Sequence, residues 1–156
     1  CLHQPATIRN GLSNKTNKMS VNTINAVFKS GMNFTVDVNG HSIEIDTDES
    51  GGGENKGTRP KVLMLVSLAG CTGLDVLGML KKMRVKFSDF SINVEGHLTD
   101  TIPTTYDKMV IQYSIRVSKE DESKVLKAVK LSEEKYCGVT KMFKTFADVS
   151  HTIIYL

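Results

Sequence analysis

The chain has 156 residues and a mass of 17.2 kDa, with 40% hydrophobic residues, 24% charged residues and three prolines. That is the make-up of one compact domain, and it excludes collagen-like, mucin-like and wholly disordered chains. Three cysteines are too few for a secreted disulfide scaffold. The net charge of +3 resides in residues 1–18, where Arg9, Lys15 and Lys18 face no acid; elsewhere 17 bases meet 17 acids. The balance beyond the tail therefore argues against a nucleic-acid surface.

Residues 1–18 have no apolar run and no periodicity, so they are expected to form a disordered or foreign tail. Residues 19–156 are expected to form a single domain, with Met19 a natural start. The tail lacks the apolar stretch of a secretory signal, which makes the cytoplasm the expected compartment.

A strand is expected to begin at Ile24 and run to Phe28. Phe34, Val36 and Val38 then alternate with polar residues up to Asn39-Gly40, and Ile43 and Ile45 alternate after it. Asn-Gly favours a two-residue hairpin turn because both positions tolerate positive φ. The turn pairs Val38 with His41, Val36 with Ile43 and Phe34 with Ile45, leaving His41 at the edge of one face. Asp46 to Gly57, acidic and glycine-rich, reads as a long mobile loop and a candidate flap.

Thr58 is placed to cap a helix opening at Pro60 and running to about Arg84, with Lys81, Lys82 and Arg84 suited to its C-terminal end. Such a helix is about 38 Å long, more than a small domain covers, so dimerisation around it is expected. Val62 to Leu80 nearly has the length of a membrane span. Three glycines, two hydroxyl residues and Asp75 within it favour a helix buried on most sides inside a protein, or at a subunit interface, instead.

Two alternating strands follow, one carrying Phe90, Ile92 and Val94, the other Ile111, Tyr113, Ile115 and Val117. Ser118 with Asp121 reads as a capping box for a helix from about Lys119 to Lys135, whose buried stripe is Val125, Ala128, Val129 and Ser132. Tyr136-Cys137-Gly138 ends it, a short helix runs to Phe146, and Val149 to Tyr155 is a last strand. Helices and antiparallel strands are segregated, an α+β arrangement.

Common cofactor motifs fail. Gly51-Gly52-Gly53 lacks the Lys-Ser/Thr of a phosphate loop. The histidines (His3, His41, His97 and His151) share no i, i+4 spacing and there is no Cys-x-x-Cys, so the spacings give a zinc site little support. No Gly-x-Ser-x-Gly elbow occurs. That leaves Cys71, amid the small residues Ala69-Gly70-Cys71-Thr72-Gly73, and Cys137 after the second long helix. On spacing alone, two inert buried thiols are favoured over a reactive pair.

Pro60-Lys61-Val62-Leu63 leading to Leu68-Ala69-Gly70-Cys71-Thr72-Gly73-Leu74-Asp75-Val76 resembles the central-helix signature of the OsmC/Ohr family of osmotically inducible and organic hydroperoxide resistance proteins. Glu134-Lys135-Tyr136-Cys137-Gly138-Val139 resembles its second-cysteine motif, in the OsmC-like branch. The resemblance covers Phe28 to Leu156. It implies an OsmC-like α+β fold with antiparallel sheets, a long central helix and an intertwined homodimer. It also implies a thiol peroxidase in which Cys71 attacks an organic hydroperoxide and Cys137 resolves the sulfenic acid as a disulfide. An external dithiol of the lipoyl type would reduce that disulfide, with no metal, haem, nucleic acid or membrane required. A second implication is a weakly redox-active or non-catalytic OsmC-like protein that binds a small apolar ligand between subunits.

Cys71 needs activation, since an ordinary thiol is only a few per cent thiolate at neutral pH. Its own helix dipole fades within the first turn, far from position 71. In the peroxidase branches an Arg near the site is held by a Glu directly after the helix Pro; here that position is Lys61. Arg59 is the nearest base in sequence, and is expected to reach a second copy's Cys71 more readily than its own. Asp75, one turn after Cys71, would raise the thiol pKa if unpaired.

Overall fold

The computed structural model describes residues 20–156. The expected tail over residues 1–18, and Met19 with it, lies outside the described residues.

Strands β1 (Asn25–Ser30), β2 (Asn33–Val38) and β3 (His41–Ile45) form an antiparallel sheet in that order. The hairpin has the register that Asn-Gly predicts: Val38 opposite His41, Val36 opposite Ile43 and Phe34 opposite Ile45. Asn39 and Gly40 both take positive φ, 54° and 79°, as a tight hairpin turn demands. Asp37 secures the turn by accepting the Gly40 N–H at 3.1 Å.

The segment after β3 is tied down, in contrast to the mobile flap expected there. Buried Asp46 accepts the backbone N–H groups of Thr47, Lys56 and Glu54 at 2.8, 2.9 and 3.1 Å. The Lys56 N–H above all holds its carboxyl below the usual range against the cost of burial, with Thr47, Glu54 and the Arg59 charge adding to the effect. Thr58 also departs from expectation. It caps nothing, and its backbone instead exchanges hydrogen bonds with Glu44 and Asp46, making a parallel bridge beside Ile45.

Helix α1 (Pro60–Lys82) begins at Pro, whose missing N–H costs nothing at a first turn. It ends where Arg84 adopts φ 55°. Leu68, Thr72, Val76 and Leu80, four residues apart, form its fully buried stripe. Although α1 is long and apolar enough to cross a membrane by composition, its buried stripe packs against other elements of the chain, while much of its remaining apolar surface is exposed in the single chain. Its neighbours are β4 (Phe87–Leu98), α2 (Glu122–Leu131), α3 (Gly138–Phe143) and the π-helical turn Ser132–Tyr136. The stripe predicted for the second helix is correct, since Val125, Ala128, Val129 and Ser132 are all buried. The predicted capping box is realised only as a Ser118–Asp121 side-chain contact at 3.4 Å ahead of a short 3-10 turn.

β4 pairs antiparallel with β5 (Tyr106–Val117), and β5 pairs with β6 (Asp148–Tyr155). This last pairing is parallel, which corrects the expectation of antiparallel sheets throughout. The reason lies in the connection: α2, the π turn and α3 form a crossover long enough to return the chain to the same end of the sheet. Core residues Met109, Ile111, Tyr113 and Ile115 project from β5 toward the helices.

Two glycines make this packing testable in opposite directions. A Cβ on Gly96 would stand 2.5 Å from the Tyr106 ring and 2.8 Å from Leu65, whereas one on Gly78, mid-helix in α1, would meet nothing within 4 Å. Gly96→Ala should therefore destabilise by about 1–3 kcal/mol through overpacking. Gly78→Ala should stabilise by up to about 1 kcal/mol through helix propensity. Urea unfolding midpoints of the two variants check both signs.

Candidate functional site

Three side chains from two remote segments converge on one face of α1. Cys71 and Asp75, one helical turn apart, project from the same side of the helix. Cys137 comes from the crossover, between the π turn and α3. Their sulfurs and the nearest Asp75 carboxylate oxygen all lie within 4.8 Å of one another. Cys71 and Asp75 are half-buried and Cys137 is buried.

Local backbone chemistry explains how Cys137 arrives there. The π turn Ser132–Tyr136 closes when the Cys137 N–H donates to the Ser132 carbonyl at 2.8 Å. Cys137 then takes extended φ and ψ and caps α3, its sulfur accepting the Thr140 N–H at 3.3 Å. Beneath Cys71, the Thr72 hydroxyl donates back to the Leu68 carbonyl at 2.9 Å. Gly73 lets β4 close in, since a Cβ there would meet Ile92 at 2.7 Å.

The electrostatics oppose thiolate formation on Cys71. Burial pushes its pKa up, its hydrogen bond with Cys137 and the charges of Cys137 and Asp75 add to that, and the Val139 N–H acts the other way. No cation is among these principal influences. Tyr113, on β5 beside the site, is pushed up to about 12 by burial, partly offset by the Thr72 hydroxyl and reinforced by Cys137, Glu133 and Asp75. It is therefore a neutral phenol at any physiological pH.

Of the residues singled out from sequence, Cys71, Cys137 and Asp75 are brought together and Arg59 is not. Arg59 precedes Cys71 by 12 residues, about 18 Å along the helix. Its guanidinium donates to Asn55 Oδ1 at 2.7 Å and the Gly57 carbonyl at 3.1 Å, and lies 3.6 Å from Asp48. The carboxylate beside Arg59 thus comes from the loop. Lys61 itself is exposed, with no ion pair among the described residues.

Sequence reasoning did not find the groups that support the site. Ser132 Oγ donates to Asp75 Oδ2 at 3.2 Å. A serine within an otherwise apolar buried stripe was the available signal, because a buried hydroxyl needs an acceptor. Glu133 in the same turn is held by Lys144 Nζ at 2.7 Å and His151 Nδ1 at 2.6 Å, which ties the turn to β6. Nothing in the spacing of those three residues announces the contact. Asp75 also forms part of the wall of a groove of about 440 Å³ whose lining includes Leu74, Met79, Leu131, Tyr136, Lys82 and Lys127.

A family model described as OsmC-like protein matches residues 53–152. Protein YhfA of Escherichia coli strain K12 is 26% identical over 113 residues, which span 72% of this chain and 81% of that protein. A hypothetical protein of Aquifex aeolicus VF5 has a TM-score of 0.74 and 31% identity, over 88% of this chain and 99% of its own. An organic hydroperoxide resistance protein, OsmC, from Legionella pneumophila shares the fold, with a TM-score of 0.58 and 18% identity over 87% of this chain and 99% of its own.

Because the Asp75 charge adds to the forces holding the Cys71 proton, Asp75→Asn should lower the Cys71 pKa. The pH profile of iodoacetamide alkylation at Cys71, followed by peptide mass spectrometry, should shift to lower pH in the variant. Its rate at neutral pH should rise. A profile unmoved by the substitution would mean that the carboxylate does not act on the thiol.

Proposed function

This chain belongs to the OsmC-like protein family, and on that premise we propose that it is a two-cysteine peroxidase for organic hydroperoxides. The observation that carries the reading is the closeness of Cys71 and Cys137 Sγ, within 4.8 Å although they are 66 residues apart.

The Cys71 thiolate attacks the terminal oxygen of the hydroperoxide. The O–O bond breaks, the alkoxide takes a proton and leaves as an alcohol, and Cys71 becomes a sulfenic acid. The Cys137 sulfur then displaces the sulfenic oxygen as water, forming a Cys71–Cys137 disulfide. An external dithiol, of the lipoyl type, supplies the two electrons that return both thiols and is itself oxidised to a disulfide. Such a cycle suits a reducing compartment, and we place it in the cytoplasm.

The reading includes a homodimer. Val62, Val66 and Leu74 on α1, with Val27, Phe28 and Phe34 on the first sheet, are exposed in the single chain. Apolar surface on both elements supports a second copy covering them. In that assembly Arg59 of one copy is the cation offered to Cys71 of the other, where no cation is among the principal influences from the described residues of its own chain.

A second reading draws on the groove beside Asp75 and on the raised Cys71 pKa. In it the protein binds a small apolar ligand and its thiols are spectators. Purified protein mixed with cumene hydroperoxide, hydrogen peroxide or no oxidant separates the two. The peroxidase should lose two thiols rapidly with the organic peroxide, and Cys71→Ser should abolish that loss. Cys137→Ser should leave Cys71 at the sulfenic or over-oxidised stage by mass spectrometry. Thiols unchanged by the organic peroxide would leave only the ligand-binding reading. Sedimentation equilibrium should give twice the 17.2 kDa chain mass, and a strictly monomeric species would remove the dimer.

A further inference from the structure

We propose that the reduced chain binds a thiophilic divalent cation of the Zn²⁺ class through Cys71 Sγ, Cys137 Sγ and one oxygen of Asp75. The site requires only the reduced thiols, so it stands whether or not the chain consumes peroxides.

Geometry is the first argument. The three donor atoms lie within 4.8 Å of one another. A tetrahedral zinc site, with Zn–S near 2.3 Å and Zn–O near 2.0–2.2 Å, sets its donors about 3.5–3.8 Å apart. The closure needed from these positions is at most about 1.3 Å. Three protein donors leave the fourth position for water, and half-buried Cys71 and Asp75 keep that side open.

Charge is the second. Asp75 is half-buried and has no ion pair among the described residues. Two thiols that become thiolates beside it would leave three negative charges in one pocket. A dication compensates most of that charge, and sulfur donors select a soft or borderline metal over magnesium or calcium.

Outer hydrogen bonds are the third. Ser132 Oγ donates to Asp75 Oδ2 at 3.2 Å, and the Thr140 N–H donates to Cys137 Sγ at 3.3 Å. Partners of this kind orient metal ligands before the ion arrives. Motif spacing could not reveal the site, because the third ligand comes from a remote turn and the ligand set contains no histidine.

Binding involves no redox step: Zn²⁺ joins two thiolates and a carboxylate, and two protons leave the thiols. Affinity therefore rises with pH. Oxidation to the disulfide removes both sulfur ligands, so only the reduced chain holds the ion.

The test uses the full chain, reduced under inert gas, with Cys1→Ser in every sample because Cys1 lies outside the described residues. Titration with Co²⁺ should give a thiolate-to-cobalt charge-transfer band and the visible bands of a tetrahedral site at one ion per chain, displaced by Zn²⁺. Cys71→Ser and Cys137→Ser should each weaken the charge-transfer band, and Asp75→Asn should lower Zn²⁺ affinity at least about tenfold. Diamide-oxidised protein should not bind. In the chain carrying only the Cys1 substitution, Zn²⁺ should also slow alkylation of Cys71 and Cys137 together, a readout that does not depend on how the site variants fold. The absence of a cobalt spectrum from reduced protein would overturn the proposal, as would a spectrum unchanged by Cys71→Ser or a zinc affinity unchanged by Asp75→Asn. The peroxide assay is run with a chelator present, so its failure and that of the metal site are read separately.

Discussion

The whole site depends on a backbone hydrogen bond between the Cys137 N–H and the Ser132 carbonyl. It spans five residues instead of the four of an α-helix, and that extra residue widens the end of α2 into a π turn. The widening faces the Cys137 sulfur back toward α1 and starts a new helix in one step. It also aims the Ser132 hydroxyl at Asp75. One irregular turn therefore sets both the distance between the sulfurs and the orientation of the carboxylate beside them.

Much of the architecture was legible because local chemistry dictated it. Asn39-Gly40 fixed a turn, the turn fixed a register, and the register agreed with the alternation of Phe34, Val36, Ile43 and Ile45. The apolar stripe of α2 was equally plain from its period. What escaped the sequence depended on partners far along the chain. A π turn has no residue signature comparable to Asn-Gly. The parallel pairing of β6 depends on where the crossover returns, and alternation within a strand is the same for either direction. Asp46 looked like one acid among several in a loop, and its burial under three backbone N–H groups became evident only in three dimensions.

The site residues divide along the same line. Cys71 and Asp75 could be placed on one helical face from their spacing, and the resemblance to the OsmC/Ohr family pointed to Cys137. The surroundings of the thiol could not be inferred. Cys71 lies against a second thiol and a carboxylate, while the nearest arginine in sequence is held at the head of α1 by Asn55 and Asp48. Among the described residues, the sulfurs are thus brought together with no cation among the principal influences on Cys71. Membership of the OsmC-like family fixes the framework, and the local field around the thiol is set by the particular residues of this chain.

The parallel strand has a consequence for how the thiols are brought together. Cys137 lies within the span that joins β5 to β6, and β6 anchors the preceding turn through the contact of His151 with Glu133. Any segment containing both sulfurs spans at least residues 71–137, and the turn that delivers Cys137 is itself tied to β6 through Glu133. A trivalent arsenical that clasps adjacent thiols would consequently act as a conformational probe, capturing the pair only where α1 and the crossover are folded against one another.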